Sequence, residues 1–193
     1  MKKKLLLISV LAIHLLGNLF LAPCPAANKG GTTDKGWQVL ETGHTIIKYK
    51  SVEDLNKFDK AVDYNPAVTD VRWLYIQNAN TLQDKIRNKT DAIFERVQEI
   101  LDMRKSMRKV TVELYSDKEN LQKAFRNITK NSKYYRAGYI FENNVIYLNV
   151  TDLHVGMLAH EMAHAVIDHY MTVRPPSATA EILARYVDSY LMK

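Results

Sequence analysis

The segment His160-Glu161-Met162-Ala163-His164 has residue types and a spacing that could support chemistry. On an α-helix, residues four apart lie one turn apart on the same face, so both imidazoles can bind one metal ion from the same side. Glu161 is rotated by about 100° from His160, so its carboxylate leans over that face and can accept a proton from a metal-bound water. The HExxH motif therefore predicts two zinc ligands, His160 and His164, and a general base, Glu161.

The residues around the motif favour a helix with one buried side. Apolar residues recur at helical spacing on the side away from the histidines: Val155, Leu158, Ala159, Met162, Ala163 and Val166. Between Val155 and Ile167, Glu161 is the one residue with a formal charge. The alternative to a metal site is an amphipathic core helix whose two histidines are incidental.

A catalytic zinc usually has three protein ligands and one open position for water, so the chain is expected to supply a third ligand. One known arrangement uses a histidine six residues after the second motif histidine, but Tyr170 stands at that position. Asp168 lies on the same face, yet it is about 12 Å along the helix axis from His160, too far to share a metal with it. The next acidic residues are Glu181 and Asp188.

Glu181 is the preferred third ligand because the chain breaks just before it. Two consecutive prolines at 175–176 end the first helix, and Ser177 can cap a second helix over residues 178–192. If this helix folds back on the first, Glu181 in its first turn approaches the histidines, while Asp188 lies about 10 Å further along. The alternative is an ordinary glutamate favoured by the dipole near a helix N-terminus. The apolar side of this helix is expected to contain Ile182, Leu183, Tyr186, Val187 and Tyr190.

Residues 158–166, the proline-containing linker and residues 181–186 together resemble the gluzincin metallopeptidases. More narrowly, they are similar to the small bacterial peptidase MA-like families. The resemblance implies a zincin-like α+β domain that hydrolyses peptide bonds, with Glu161 as the base. It also implies three zinc ligands: His160, His164 and Glu181.

The chain departs from that family at two positions. Many relatives have glycine directly after the ligand glutamate, where Ile182 stands here, and gluzincins often have aspartate four residues after it, where Arg185 stands. The second departure leaves the outer partner of a ligand histidine unidentified. The resemblance covers roughly residues 138–190.

The segment before the motif helix reads as a β-hairpin. Residues 137–141 and 145–150 have strand-like composition, and Asn143-Asn144 favours a tight turn between them. Thr151 or Asp152 can cap the helix that follows. The resemblance puts such a strand at the edge of the cleft, where an extended peptide could add by main-chain hydrogen bonds. An ordinary buried hairpin is the alternative.

Earlier segments predict the rest of an α+β domain. A hairpin is expected over 37–50 around Thr42-Gly43, a long helix over 82–101, a strand over 110–115 and a helix over 118–128. The order of strands and helices is that of an α+β fold with a small sheet. We expect one domain over 37–193, with a catalytic core at about 110–193.

The N-terminus predicts export. A run of three lysines at 2–4 precedes an apolar stretch over 5–22, which is typical of a secretory signal peptide, here assigned to 1–26. Residues 27–36 read as a flexible linker, and the mature protein is expected in the bacterial periplasm or secreted. Leu21-Ala22-Pro23-Cys24 resembles a lipoprotein lipobox, although Pro23 is unfavourable before a modified cysteine, and a retained membrane anchor is the other alternative.

Charge and composition limit the classes of binding partner and the kind of fold that the chain can have. The net charge is +6, of which the lysines at 2–4 contribute three, so the mature chain is too weakly basic to predict nucleic-acid binding. Hydrophobic residues make up 47% of the sequence, which suits one compact core. Cleavage after residue 26 would remove Cys24, the single cysteine, so neither disulfides nor zinc ligation could use it.

Two functions from different classes remain open. The first is a secreted or envelope zinc metallopeptidase acting on peptides or proteins, in which a hydrogen-bond donor to the oxyanion is also expected. Four residues are candidates for that donor: His154, Tyr170, Arg185 and Tyr186. The second is a zinc-stabilised or catalytically degenerate module that binds a partner in the envelope. The intact Glu161 favours the first, because a purely structural zinc site needs no base.

Overall fold

The computed structural model describes residues 36–67, 69–129 and 136–191. These residues form five strands, six α-helices and two short 3-10 turns, Phe141–Asn143 and Val150–Asp152. In chain order the strands and α-helices are β1 (Gln38–Glu41), β2 (Thr45–Tyr49), α1 (Val52–Ala61), α2 (Val71–Gln77), α3 (Leu82–Leu101), β3 (Val110–Tyr115), α4 (Lys118–Thr129), β4 (Ala137–Ile140), β5 (Val145–Asn149), α5 (Val155–Tyr170) and α6 (Ser177–Tyr190).

The strands form one mixed sheet with the order β1-β2-β3-β5-β4. β2, β3 and β5 are parallel, whereas β1 is antiparallel to β2 and β4 is antiparallel to β5. β4 is therefore an edge strand, with Tyr139 opposite Ile146 of β5. The expected α+β class with a small sheet is confirmed by this arrangement.

Most elements predicted from the sequence are present. The first hairpin is β1 and β2, the long helix is α3, the strand over 110–115 is β3, and α4 extends one residue beyond the expected helix. The second hairpin is β4 and β5, where Asn144 adopts the left-handed conformation with φ of 56°, as its residue type favours.

Two helices, α1 and α2, have no counterpart among the predicted elements. α1 begins with a capping box, in which the Ser51 side chain accepts from the Asp54 N–H and the Asp54 side chain accepts from the Ser51 N–H. Leu55 and Phe58 are buried on its inner face. The S-x-x-D pattern and the apolar spacing were thus available as sequence signals for α1. α2 has only seven residues, too few for a clear helical period.

α5 lies within the core and contacts α3, α6 and β4. Five of the six apolar residues predicted for its buried side are fully buried: Leu158, Ala159, Met162, Ala163 and Val166. Val155 is half-buried and packs against the same cluster. The predicted buried side of the motif helix is therefore confirmed, and this packing fixes the rotation of α5 about its axis.

The helix caps differ from those predicted. His154 caps α5, and its Nδ1 accepts a 3.2 Å hydrogen bond from the N–H of Met157. The predictions of Thr151 or Asp152 as the cap are wrong, because the 3-10 turn after β5 contains both residues and delays the start of the helix. Ser177 is the first residue of α6, and no side chain caps that helix, since Pro176 precedes it.

The predicted apolar side of α6 is only partly the buried one. Ala184 and Val187 are fully buried, and Leu183 packs partly buried against the core. Ile182 is 68% exposed, and Tyr186 and Tyr190 are also exposed. Apolar residues occupy two sides of α6, and the contact with α5 uses the side that contains the smaller Ala184, which lets the two helices approach closely.

The predicted signal segment, 1–26, and all but the last residue of the linker, 27–36, lie outside the described residues. No helix in the described part of the chain combines the length and apolarity needed to cross a lipid bilayer. The division into signal segment, linker and domain stays a prediction.

Candidate metal centre

α5 brings the two motif histidines together. His160 and His164 are one turn apart, and their Nε2 atoms are 3.3 Å from each other. Both side chains are about one-fifth exposed, at 20% and 22%, so they reach solvent from a helix that is largely buried. The helical spacing therefore places two imidazole nitrogens where one ion could contact both.

Glu181 reaches the same point from α6. Its Oε2 lies 3.6 Å from His160 Nε2 and 3.4 Å from His164 Nε2. The Pro175-Pro176 linker turns the chain so that α6 packs along α5, and Glu181, the fifth residue of α6, faces the histidines from the second turn of that helix. His160, His164 and Glu181 are the group in the described residues whose potential ligand atoms all lie within 4.8 Å of one another.

The rival acidic residues are elsewhere. Asp168 pairs with Arg174, whose Nε lies 3.1 Å from Asp168 Oδ1. Asp188 lies beside the first turn of α5, where a Cβ added to Gly156 would meet its carboxylate. Neither belongs to the cluster, and the tertiary structure therefore favours Glu181 over both alternatives.

The chemistry of the three side chains suits a zinc ion. Burial lowers the pKa of His164, and the neighbouring His160 lowers it further, so the neutral imidazole that binds metal is favoured. Burial alone would raise the pKa of Glu181, but the Arg185 hydrogen bond and the two histidines outweigh it and lower the pKa. Two imidazoles and one carboxylate form a three-ligand set typical of catalytic zinc sites.

Arg185 holds the third candidate ligand in position. Its Nε donates a 3.0 Å hydrogen bond to Glu181 Oε1, which leaves Oε2 facing the histidines. Arg185 is one of the two positions at which the sequence departs from the gluzincin pattern, and here it contacts the carboxylate of Glu181. The side chain is 74% exposed, so the ion pair is screened by solvent and orients Glu181 more than it stabilises the fold.

Glu161 lies next to the cluster without joining it. Its Oε2 accepts a 2.8 Å hydrogen bond from the main-chain N–H of Tyr139 in β4. Burial raises the pKa of Glu161 to about 7, although the Tyr139 N–H acts in the opposite direction. A carboxylate with a pKa near neutrality can both accept and return a proton at physiological pH.

The three cluster residues and Glu161 line an open cleft of about 640 Å³. One wall is the start of β4 at 137–139, another is α5, and the third is formed by the linker and the N-terminal part of α6. Arg174, in the linker, is also part of the lining. Arg174 belongs to no sequence motif, and its position directly before two prolines is the one local signal that marks it.

The four residues considered as oxyanion donors do not line this cleft. The His154 ring caps α5, Arg185 binds Glu181, and Tyr186 stacks against Tyr190 with ring centroids 4.4 Å apart. Tyr170, at the end of α5, is exposed. Arg174 is the cleft-lining cation that sequence reasoning missed.

No protein-family model, curated protein or solved structure matches this chain. The resemblance to gluzincins therefore rests on the motif residues and on the geometry described above.

Proposed function

We propose that this protein is a zinc-dependent peptidase of the gluzincin kind, with a zincin-like domain. The main support for the proposal is that one site contains both a set of potential metal ligands and a separate carboxylate that could act as a base. Glu181 meets His160 and His164 with one carboxylate oxygen, while the buried Glu161 lies beside them, held by a different element. A purely structural zinc site would need only the first three residues.

His160, His164 and Glu181 would hold the ion, with Arg185 orienting Glu181. Zinc bound there would lower the pKa of its water to about 7 and polarise a peptide carbonyl. Glu161 accepts the proton released when water attacks the carbonyl carbon. It then delivers that proton to the amine nitrogen as the C–N bond breaks.

The main chain of β4 supports both the base and the substrate. The Tyr139 N–H on the outer edge of β4 orients the Glu161 carboxylate. Because β4 is an edge strand that lines the cleft, its other outer main-chain groups are suited to bind an extended peptide. The substrate class is accordingly a peptide or an unfolded protein segment. The expected signal segment assigns the enzyme to the bacterial envelope or the exterior.

Metal removal and restoration test the proposal. We expect the mature protein to cleave members of a broad peptide library after zinc loading. We also expect it to lose that activity on chelation and regain it when about one equivalent of zinc is added back. Stoichiometric zinc binding without cleavage of any peptide or unfolded protein would support the binding-module alternative instead.

A further inference from the structure

Arg174 presents a guanidinium group to the cleft from a fixed support. Its Nε lies 3.1 Å from Oδ1 of Asp168, whose side chain is only 5% exposed, whereas the side chain of Arg174 is 56% exposed. The buried carboxylate thus anchors one end of the guanidinium. The two Nη atoms carry four further N–H donors, which have no hydrogen-bond partner among the described residues.

Two other elements restrict Arg174. Its Cζ lies 4.6 Å from the centre of the Phe141 ring, just beyond β4, so the guanidinium is stacked on an aromatic face. Pro175 follows Arg174 and limits its main-chain conformation. A planar cation held by an ion pair, a ring and a rigid linker loses little entropy when it binds a ligand.

The position of Arg174 points to substrate binding rather than bond cleavage. Asp168 is four residues beyond His164, about 6 Å along α5. Phe141 is two residues beyond Tyr139, about 7 Å along the direction of β4. An extended peptide advances by about 3.4 Å per residue, so Arg174 lies one or two substrate residues away from the scissile bond.

We propose that Arg174 binds a carboxylate of the peptide substrate one or two residues from the cleaved bond. The inference rests on the peptidase function proposed above and specifies its substrate. A carboxylate fits because the two Nη groups can donate a parallel pair of hydrogen bonds to its two oxygens. That carboxylate is either the free C-terminus of a short peptide or an acidic side chain.

Matched peptides test the proposal and separate the two sources. One pair differs only in a free C-terminus or a C-terminal amide, and a second pair only in glutamate or glutamine near the cleaved bond. kcat/KM is measured for zinc-loaded wild type, Arg174→Gln, Arg174→Lys and the control Arg87→Gln. Arg87 lies on α3, and its Nε donates a hydrogen bond to the main-chain oxygen of Glu41 in β1. The control therefore removes the same charge near the opposite edge of the sheet. Affinity of labelled peptides for Glu161→Gln, with and without Arg174→Gln, gives a readout independent of turnover.

Wild type is expected to prefer one carboxylate peptide over its neutral partner by at least about tenfold, mainly through KM. Arg174→Gln should abolish that preference, Arg174→Lys should retain part of it, and Arg87→Gln should leave it unchanged. Preference in the first pair identifies a C-terminal carboxylate, and preference in the second identifies an acidic side chain.

Cleavage of both members of each pair at equal rates, or a preference that survives Arg174→Gln, would overturn this inference and leave the peptidase function intact. A wild type that cleaves no peptide would overturn both.

Discussion

The main-chain N–H of Tyr139 donates a 2.8 Å hydrogen bond to Oε2 of Glu161, which joins the edge strand of the sheet to the motif helix. Glu161 is buried, and Tyr139 is near the middle of β4. The Glu161 carboxylate is thus oriented by a main-chain group, which every substitution of Tyr139 except proline would retain. The geometry of this bond depends on how β4 packs against α5, so the sheet edge and the motif helix together position Glu161.

Glu161→Gln should keep the metal and lose turnover. Glutamine retains the shape of glutamate and an oxygen that can accept from Tyr139, but it cannot accept a proton as a base. We expect kcat to fall by about 10²-fold or more, with zinc content unchanged, measured by steady-state kinetics and elemental analysis. If the variant instead loses zinc as completely as His160→Ala does, Glu161 is a ligand and the assigned roles are wrong.

The mature protein should bind about one zinc per chain, as expected for a mononuclear site. Affinity should fall in acid, because both imidazoles must be neutral to bind metal and the metal competes with protons. Titration calorimetry at several pH values, with His160→Ala and His164→Ala as controls, measures both properties. Wild-type affinity that does not change between pH 7 and pH 5 would argue against ligation by the histidines.

Glu181→Ala should weaken zinc binding far more than Asp188→Ala. Glu181 Oε2 faces both histidines, whereas Asp188 lies against the first turn of α5 near Gly156. We expect Arg185→Gln to have an intermediate effect of about 10–100-fold, because it removes only a group that orients the ligand. Competition with a chromophoric chelator gives the affinities. Near-normal binding by Glu181→Ala, with a severe loss in Asp188→Ala, would move the third ligand to Asp188.

Asp59→Asn should destabilise the fold by about 2–4 kcal/mol at pH 7, since it leaves the Lys89 ammonium without its counterion. Lys89 Nζ lies 2.7 Å from Asp59 Oδ1, and both side chains are largely buried. The more exposed partner Lys85 provides the control, because Lys85→Ala should cost less than about 1 kcal/mol.

The same ion pair predicts a pH dependence. Burial alone would raise the pKa of Asp59, but hydrogen bonds from Lys89 and Lys85 outweigh it and lower the pKa. The stability from this pair is therefore fully present above the unfolded value of about 3.9 and is lost as the pH falls through the folded value. Urea unfolding should give a smaller difference between wild type and Asp59→Asn at pH 2–3 than at pH 7. An equal difference at both pH values would mean that ionisation of Asp59 does not stabilise the fold.

The exported protein should lack residues 1–26. The lysine run and the apolar stretch predict recognition by the secretion machinery and cleavage after a small residue. Mass spectrometry of the native N-terminus distinguishes the outcomes. A chain that begins at Cys24 with added lipid mass would identify a lipoprotein, and an intact Met1 would identify a retained anchor.

The sequence by itself determined the features that depend only on residues close together in the chain. The i, i+4 spacing of His160 and His164 puts both on one face wherever α5 packs, and Glu161 follows from the same geometry. The two prolines, the Asn144 turn and the apolar periods of α3 and α5 likewise predicted where elements begin and end. These features depend on dihedral preferences and helical rise, which neighbouring residues set without help from the rest of the chain.

Tertiary structure decided what lies next to the motif. Whether Glu181 or Asp188 meets the histidines depends on how α6 packs along α5, and the sequence left that open because α6 has apolar residues on two sides. The edge position of β4, and with it the Tyr139 bond to Glu161, follows from strand order, which joins segments far apart in the chain. Arg174 enters the cleft only because Asp168 and Phe141, from two other elements, hold it there. Such contacts form through packing between elements, and no local pattern encodes them.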